Sequence, residues 1–212
     1  MAKAKSKAPL DLESPPPSFD GFTEATIKFL HGLKKNNNKE WFEAHREQYE
    51  MDLREPFKSL VNAMSDRFKN AKLPLVANPK SSLFRINRDI RFSKDKTPYK
   101  THVGAWFPLE SISKEDWAGT YFGFEPGKSS KDLKVWLGGG CYQPEPPQLK
   151  RIRQTISEEF KTLQKLLSDA NFRKEYPDGF VEGEKLKRIP QGYSEDDPAA
   201  EYLKMKNFYF NA

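Results

Sequence analysis

The sequence has a single cysteine, Cys141, among 212 residues. One thiol cannot form an intrachain disulfide, so the core has to hold the fold, and a reducing, cytoplasmic compartment is the expected home. Histidine is nearly as scarce. His31, His45 and His102 share no metal-ligand spacing, and one thiol cannot make a thiolate cluster, so neither structural zinc nor any cofactor is expected. No stretch approaches the roughly 20 apolar residues that span a bilayer, and the N-terminus lacks an apolar signal core. Neither a membrane partner nor a secretion signal is expected. The phosphate-loop patterns GxGxxG and GxxxxGK do not occur, and no internal repeat is visible.

What is present describes a globular chain with a heavily charged surface, 36% hydrophobic, 13% aromatic and 31% charged. The formal charge of +6 comes from 36 basic and 30 acidic residues interspersed over most of the length, so local clustering says more than the total. Residues 1–18 alternate Lys and Ala and then run through Ser14-Pro15-Pro16-Pro17. That composition cannot bury enough apolar surface to offset its ordering entropy, and a disordered tail is predicted, with Lys3, Lys5 and Lys7 solvated. The remainder, 19–212, reads as one domain.

Thr23 is placed to cap a first helix, with Phe22 stapling onto Ile27 and a buried line of Ile27, Leu30 and Leu33. Asn36-Asn37-Asn38 ends it and caps the next, whose apolar positions are Trp41, Phe42, His45, Tyr49 and Leu53. On that stripe His45 reads as a satisfied, buried histidine. Pro56 bends or restarts the helix, and the stripe continues through Phe57, Leu60, Val61, Met64 and Phe68. From Ser81 the apolar period becomes two. Phe84, Ile86, Ile90 and Phe92 alternate with Arg85, Asn87, Asp89 and Arg91, and Arg88 falls on the apolar side, which predicts a half-buried strand.

Three more strands are predicted at Val103–Leu109, Thr120–Glu125 and Leu133–Leu137, with Gly138-Gly139-Gly140 as a strand-end turn or bulge rather than a phosphate loop. Pro147 opens a long amphipathic helix buried along Leu149, Ile152, Ile156, Phe160, Leu163 and Leu167. Residues 178–193 are expected to be irregular, followed by a short helix near 198–206. Helices at both ends of a strand run predict an α+β fold with a mostly antiparallel sheet of about four or more strands.

The densest chemistry lies in residues 85–100. Six cations, Arg85, Arg88, Arg91, Lys94, Lys96 and Lys100, face only Asp89 and Asp95, an excess of four. Concentrated positive charge selects an anionic partner, and the planar fork of Arg suits phosphate or carboxylate. Arg85, Arg88, Arg91, Lys96, Tyr99 and Lys100 are the candidate ligand residues. Lys187 and Arg188 form a second basic spot that either completes this site or is a solvated loop. The competing reading of the arginines is an internal ion network with Asp89, Asp95 or helix carboxylates.

Four functions follow from the pattern: binding of an anionic small molecule, an enzyme acting on an anionic group, a nucleic-acid module, or a structural interaction domain. In the enzyme reading Asp89 or His102 moves the proton and the arginines stabilise developing charge. In the nucleic-acid reading Tyr99, Trp106 and Tyr121 stack bases.

The segments Asn36 to Phe42, Arg85 to Lys100, Gly138 to Gly140 and Leu186 to Tyr193 resemble the domain of unknown function 2461 family. The similarity runs from about Phe19 to the last residues, and the pattern RxxRDxRFSxDKTPxK carries most of it. The family is widespread, is treated as a single domain and has no established activity. The resemblance places Arg85, Arg88, Asp89, Arg91, Phe92, Ser93, Asp95, Lys96, Pro98 and Lys100 on the signature, together with the three glycines and Lys187 to Gly192. Its members usually continue through a further, largely helical segment, which implies that this chain lacks the C-terminal end.

Overall fold

The computed structural model describes residues 19–91, 94–110, 118–129 and 131–212. The expected tail 1–18, and Phe92 and Ser93 of the basic segment, lie outside the described residues. The fold is α+β, and the chain divides into two compact units, one formed by residues up to Val103 with Glu125–Leu133 and the other by Gly104–Phe124 with Lys134–Ala212.

The first unit holds α1 (Glu24–Lys35), α2 (Lys39–Ala44), α3 (Arg46–Gln48), a π-helical turn (Tyr49–Arg54) and α4 (Glu55–Asn70); the predicted breaks at Asn36–Asn38 and near Pro56 are present, while the second helix, expected to run on through Leu53, is interrupted at His45, with φ −116 and ψ 19, and passes into the π-helical turn. Thr23 is the N-cap of α1, and its N–H donates to Thr26 Oγ1 at 3.3 Å. The Phe22 ring lies 5.6 Å from that of Phe57. Asn38 caps α2 by accepting the Trp41 N–H at 2.9 Å, and Pro56 sits in the first turn of α4, where its missing N–H costs no hydrogen bond. Phe29, Leu30, Leu33, Phe42, Leu53, Phe57 and Val61 are buried, and so is the polar Thr26. The hydroxyl is satisfied because Thr26 Oγ1 donates to Asp52 O in the π-helical turn at 2.6 Å. His45 is half-buried, stacked 4.0 Å from the Trp41 ring, and its Nδ1 donates to Trp41 O at 2.7 Å.

Over the described residues 84–91 the predicted strand does not form. Backbone pairing there is limited to Asn87 opposite Tyr99, flanked by Arg88 N–H to Pro98 O at 2.9 Å and Lys100 N–H to Ile86 O at 2.8 Å. The backbone then turns, because Asp89 Oδ1 accepts the Arg91 N–H and Asp95 Oδ1 accepts the Thr97 N–H, each two residues on. Only Ile86 of the described alternating residues is buried, while Phe84 and Ile90 are exposed.

The sheet runs in the order β1 (Val103–Pro108), β2 (Ala118–Pro126), β3 (Leu133–Cys141) and β4 (Phe208–Asn211), and apart from Val103 and Glu125–Leu133 it belongs to the second unit. The triple glycine was expected to end the third strand and does not; it lies within β3, and Gly138, Gly139 and Gly140 pair antiparallel with Asn211, Phe210 and Tyr209. The reason is close approach. A Cβ on Gly138 would stand 2.3 Å from Phe210 O and 2.6 Å from the Tyr121 ring, and Gly140 has φ +127.

The predicted long helix is broken into α5 (Pro146–Glu158) and α6 (Phe160–Leu167) by Glu159, whose φ of −114 and ψ of 28 leave the helical region. This places Phe160 against Tyr202, with ring centres 5.6 Å apart. After α7 (Ala170–Glu175) and an irregular stretch, α8 (Ala200–Leu203) delivers Leu203, Met205 and Phe208 to a core that also holds Ile156 and Ala199.

Candidate functional site

The basic segment lies in the first unit, anchored by Tyr99. The Tyr99 ring is buried and stacks on Phe42 at 4.1 Å, while Asn37 takes both sides of its peptide, Nδ2 donating to Tyr99 O at 2.9 Å and Oδ1 accepting the Tyr99 N–H at 3.1 Å. Tyr99 therefore sits in the core, and what it offers a ligand is the placement of its neighbours.

The cations divide by partner. Arg91 grips Asp89 with two hydrogen bonds, at 3.0 and 2.8 Å, and Arg85 approaches the same carboxylate at 3.6 Å. The hydrogen bonds from Arg91 hold the Asp89 carboxyl down to about 2, so it stays ionised at neutral pH. Arg88, the most buried guanidinium of the group, pairs with Asp95 at 2.9 Å and donates to Tyr99 O at 3.3 Å. Its Nε is buried and has no acceptor among the described residues. Lys96 donates to Ile90 O at 2.8 Å.

Lys100 stands apart. Its Nζ lies 5.6 Å over the Phe84 ring, and it makes no ion pair to a carboxylate among the described residues. Partial burial, then the charges of Arg85 and Arg88, pull its pKa below the ordinary lysine value. Half-buried His102 is next in line. Burial, followed by the Lys100 charge, lowers its pKa, and Glu125 pulls weakly the other way. The structure thus brings Arg85, Arg88, Lys100 and His102 within electrostatic reach of one another. His102 was foreseen only as a proton carrier, and its adjacency to Lys100 was the available signal. Asn37, which fixes the site from 62 residues away, lies in one of the segments that carry the family resemblance, but nothing in its local pattern ties it to the basic segment.

Lys187 and Arg188 are exposed residues of the second unit. In that unit lie also the half-exposed Trp106 and Tyr121. Among the described residues no three His, Cys, Asp or Glu side chains cluster as metal ligands, and no helix is long and apolar enough to cross a membrane.

No curated protein and no solved structure shows significant similarity to the chain. The sequence model of the family described as "Conserved hypothetical protein (DUF2461)" matches residues 25–212, a span that contains the Asn37 clamp, the whole basic segment, the glycines that admit β4 and β4 itself. With that coverage, the chain belongs to the DUF2461 family.

Proposed function

We propose that the Arg85, Arg88 and Lys100 cluster binds a small phosphate- or carboxylate-bearing molecule, with Arg91 and Lys96 shaping its rim. The observation that carries this reading is Lys100, a half-buried ammonium crowded by two guanidinium groups and, among the described residues, without a carboxylate of its own. Like charges held together in a partly dry place cost free energy until an anion arrives. A structural ion network accounts for Arg91 on Asp89 and Arg88 on Asp95, and leaves Lys100 without a reason.

Three further observations order the alternatives. An Asp89 held near 2 is a poor proton acceptor, so an enzyme built here would rely on His102, which is neutral at pH 7 and next to the cations. A nucleic-acid surface loses its nearest stacking ring, since Tyr99 lies on Phe42. Lys187 and Arg188, exposed on the other unit, are proposed as an anion-binding spot of their own. The reading also places the protein in the cytoplasm, where such metabolites are abundant and Cys141 stays reduced.

A thermal-shift series with phosphate, pyrophosphate, citrate and a short oligonucleotide at fixed ionic strength tests it. A small anion should raise the melting temperature of the native chain, and Arg85→Ala with Lys100→Ala should abolish the rise while folding stays cooperative. Response to the oligonucleotide alone, with steep salt dependence, would move the assignment to nucleic acid.

A further inference from the structure

The second unit contains a cavity of about 560 Å³ whose polar lining includes Arg153, Glu184, Lys206, Asn207 and Gln143. Tyr142 and Tyr209 stand at its edge, and Leu149 and Leu186 supply apolar wall. Arg153 follows Leu149 by one helical turn on α5, so both side chains share a face. Its Nε donates to Leu203 O at 2.8 Å and its Nη2 to Met205 O at 3.1 Å. These bonds pin the guanidinium and leave the rest of its five N–H donors, and all of its charge, without a carboxylate among the described residues. Burial lowers its pKa, the mark of a cation short of compensation.

The rest of the lining sets the charge and shape of what fits. Lys206 is already engaged by Glu184 at 2.9 Å, so Arg153 is the uncompensated charge and the site is matched to a monoanion. Gln143, at φ +51, donates its N–H to Asn207 Oδ1 at 3.0 Å, which fixes the amide and leaves Asn207 Nδ2 as a further donor. Tyr142 is 52% exposed, large for an aromatic residue, and its ring is held edge-on to Tyr209 with ring centres 5.3 Å apart. A half-exposed, fixed ring beside a pinned guanidinium is an amphipathic receptor.

We propose that this cavity binds a small aromatic monocarboxylate, its carboxylate on Arg153 and Asn207 and its ring between Tyr142 and the Leu149 and Leu186 wall. The site is independent of the basic segment and differs from it in kind, since a dianionic phosphate would need a second cation that Glu184 has taken.

Titration calorimetry with 2-naphthoate, against neutral 2-naphthalenemethanol and inorganic phosphate, tests the assignment on the full chain. Naphthoate should bind at least about tenfold tighter than either, the contrast a charge-assisted hydrogen bond provides. During the titration the Arg153 Nε–H resonance should shift and saturate with the calorimetric isotherm. Arg153→Gln should remove the preference for naphthoate over the alcohol. Because Arg153 also pins the end of α8, Tyr142→Ala at the exposed ring gives the second readout, a several-fold loss of affinity at unchanged melting temperature. Arg85→Ala with Lys100→Ala should leave naphthoate binding intact. Equal affinity for the alcohol, an Arg153 resonance that stays still at saturation, or loss of binding in the Arg85 and Lys100 variant would each overturn the proposal.

Discussion

Asn37 holds the Tyr99 peptide from both sides, donating to its carbonyl at 2.9 Å and accepting its N–H at 3.1 Å, as a neighbouring strand would. The interhelical Asn36-Asn37-Asn38 link thus does more than break and cap helices; one of its side chains substitutes for a β partner and fixes the loop that carries Lys100. The clamp is a pair of hydrogen bonds at a half-buried site, so Asn37→Ala should cost about 1 to 3 kcal/mol by leaving the Tyr99 N–H without its acceptor, while Arg88 still donates to the Tyr99 carbonyl. Asn37→Asp keeps the acceptor but sets a carboxylate against the Tyr99 carbonyl, and should be no better. Denaturant titration of both variants checks this, and a loss below about 0.5 kcal/mol would mean that water replaces the clamp.

Arg88 and Lys94 lie six residues apart and should respond differently. The Arg88 side chain is 19% exposed and bonded to Asp95 and to Tyr99 O, whereas Lys94 is exposed. Arg88→Ala should destabilise by about 1 to 3 kcal/mol, less than a fully buried pair because Asp95 is 48% exposed. Lys94→Ala should stay within about 0.5 kcal/mol. Equal melting temperatures would place the Arg88 contribution at the surface.

The pH dependence has a definite sign. His102 is depressed below 6.5 in the folded state, so the folded protein binds fewer protons there than the unfolded chain. Its contribution is complete above 6.5 and is lost as the pH falls from 6.5 through the folded value. Asp89 acts at lower pH, where its stabilising contribution is present above 3.8 and is lost as the pH falls towards about 2. NMR titration of the two side chains measures both midpoints. Phosphate bound beside Lys100 should raise the His102 midpoint, and an unchanged midpoint at saturating phosphate would put the anion elsewhere.

Gly123 in β2 carries the ring of Trp136. A Cβ at Gly123 would lie 1.7 Å from Trp136 Cζ3, so the ring has to move if any side chain is added. Gly123→Ala should cost about 1 to 3 kcal/mol, the usual range for overpacking. In a Trp136→Leu background most of that cost should vanish, and a double-mutant cycle measures the coupling. Simple additivity would mean that the penalty comes from the β2 backbone instead.

Much of the helical architecture was readable from local chemistry. Thr23, Asn38 and Pro56 set their helix termini by local means, Thr23 donating its N–H to Thr26 Oγ1, Asn38 Oδ1 accepting the Trp41 N–H and Pro56 lacking an N–H, and no distant residue is needed for that. The positive excess of residues 85–100 was equally plain, because charge is counted directly. The alternation from Phe84 to Phe92 was just as visible and misled. Two-residue periodicity records which side chains could share a face, but a strand exists only where another backbone pairs with it, and here the pairing stops at Asn87 and Tyr99. For the same reason β4 and the place of Gly138 to Gly140 were decided by tertiary structure: what those glycines admit is the backbone of Phe208 to Asn211, some 70 residues later, an approach distance that no local pattern encodes. The sequence by itself determined the caps, the helical stripes and the local charge. Tertiary structure alone decided which cations meet a carboxylate, since Asp89 and Asp95 are shared out by geometry and Lys100 is left facing Arg85 and Arg88.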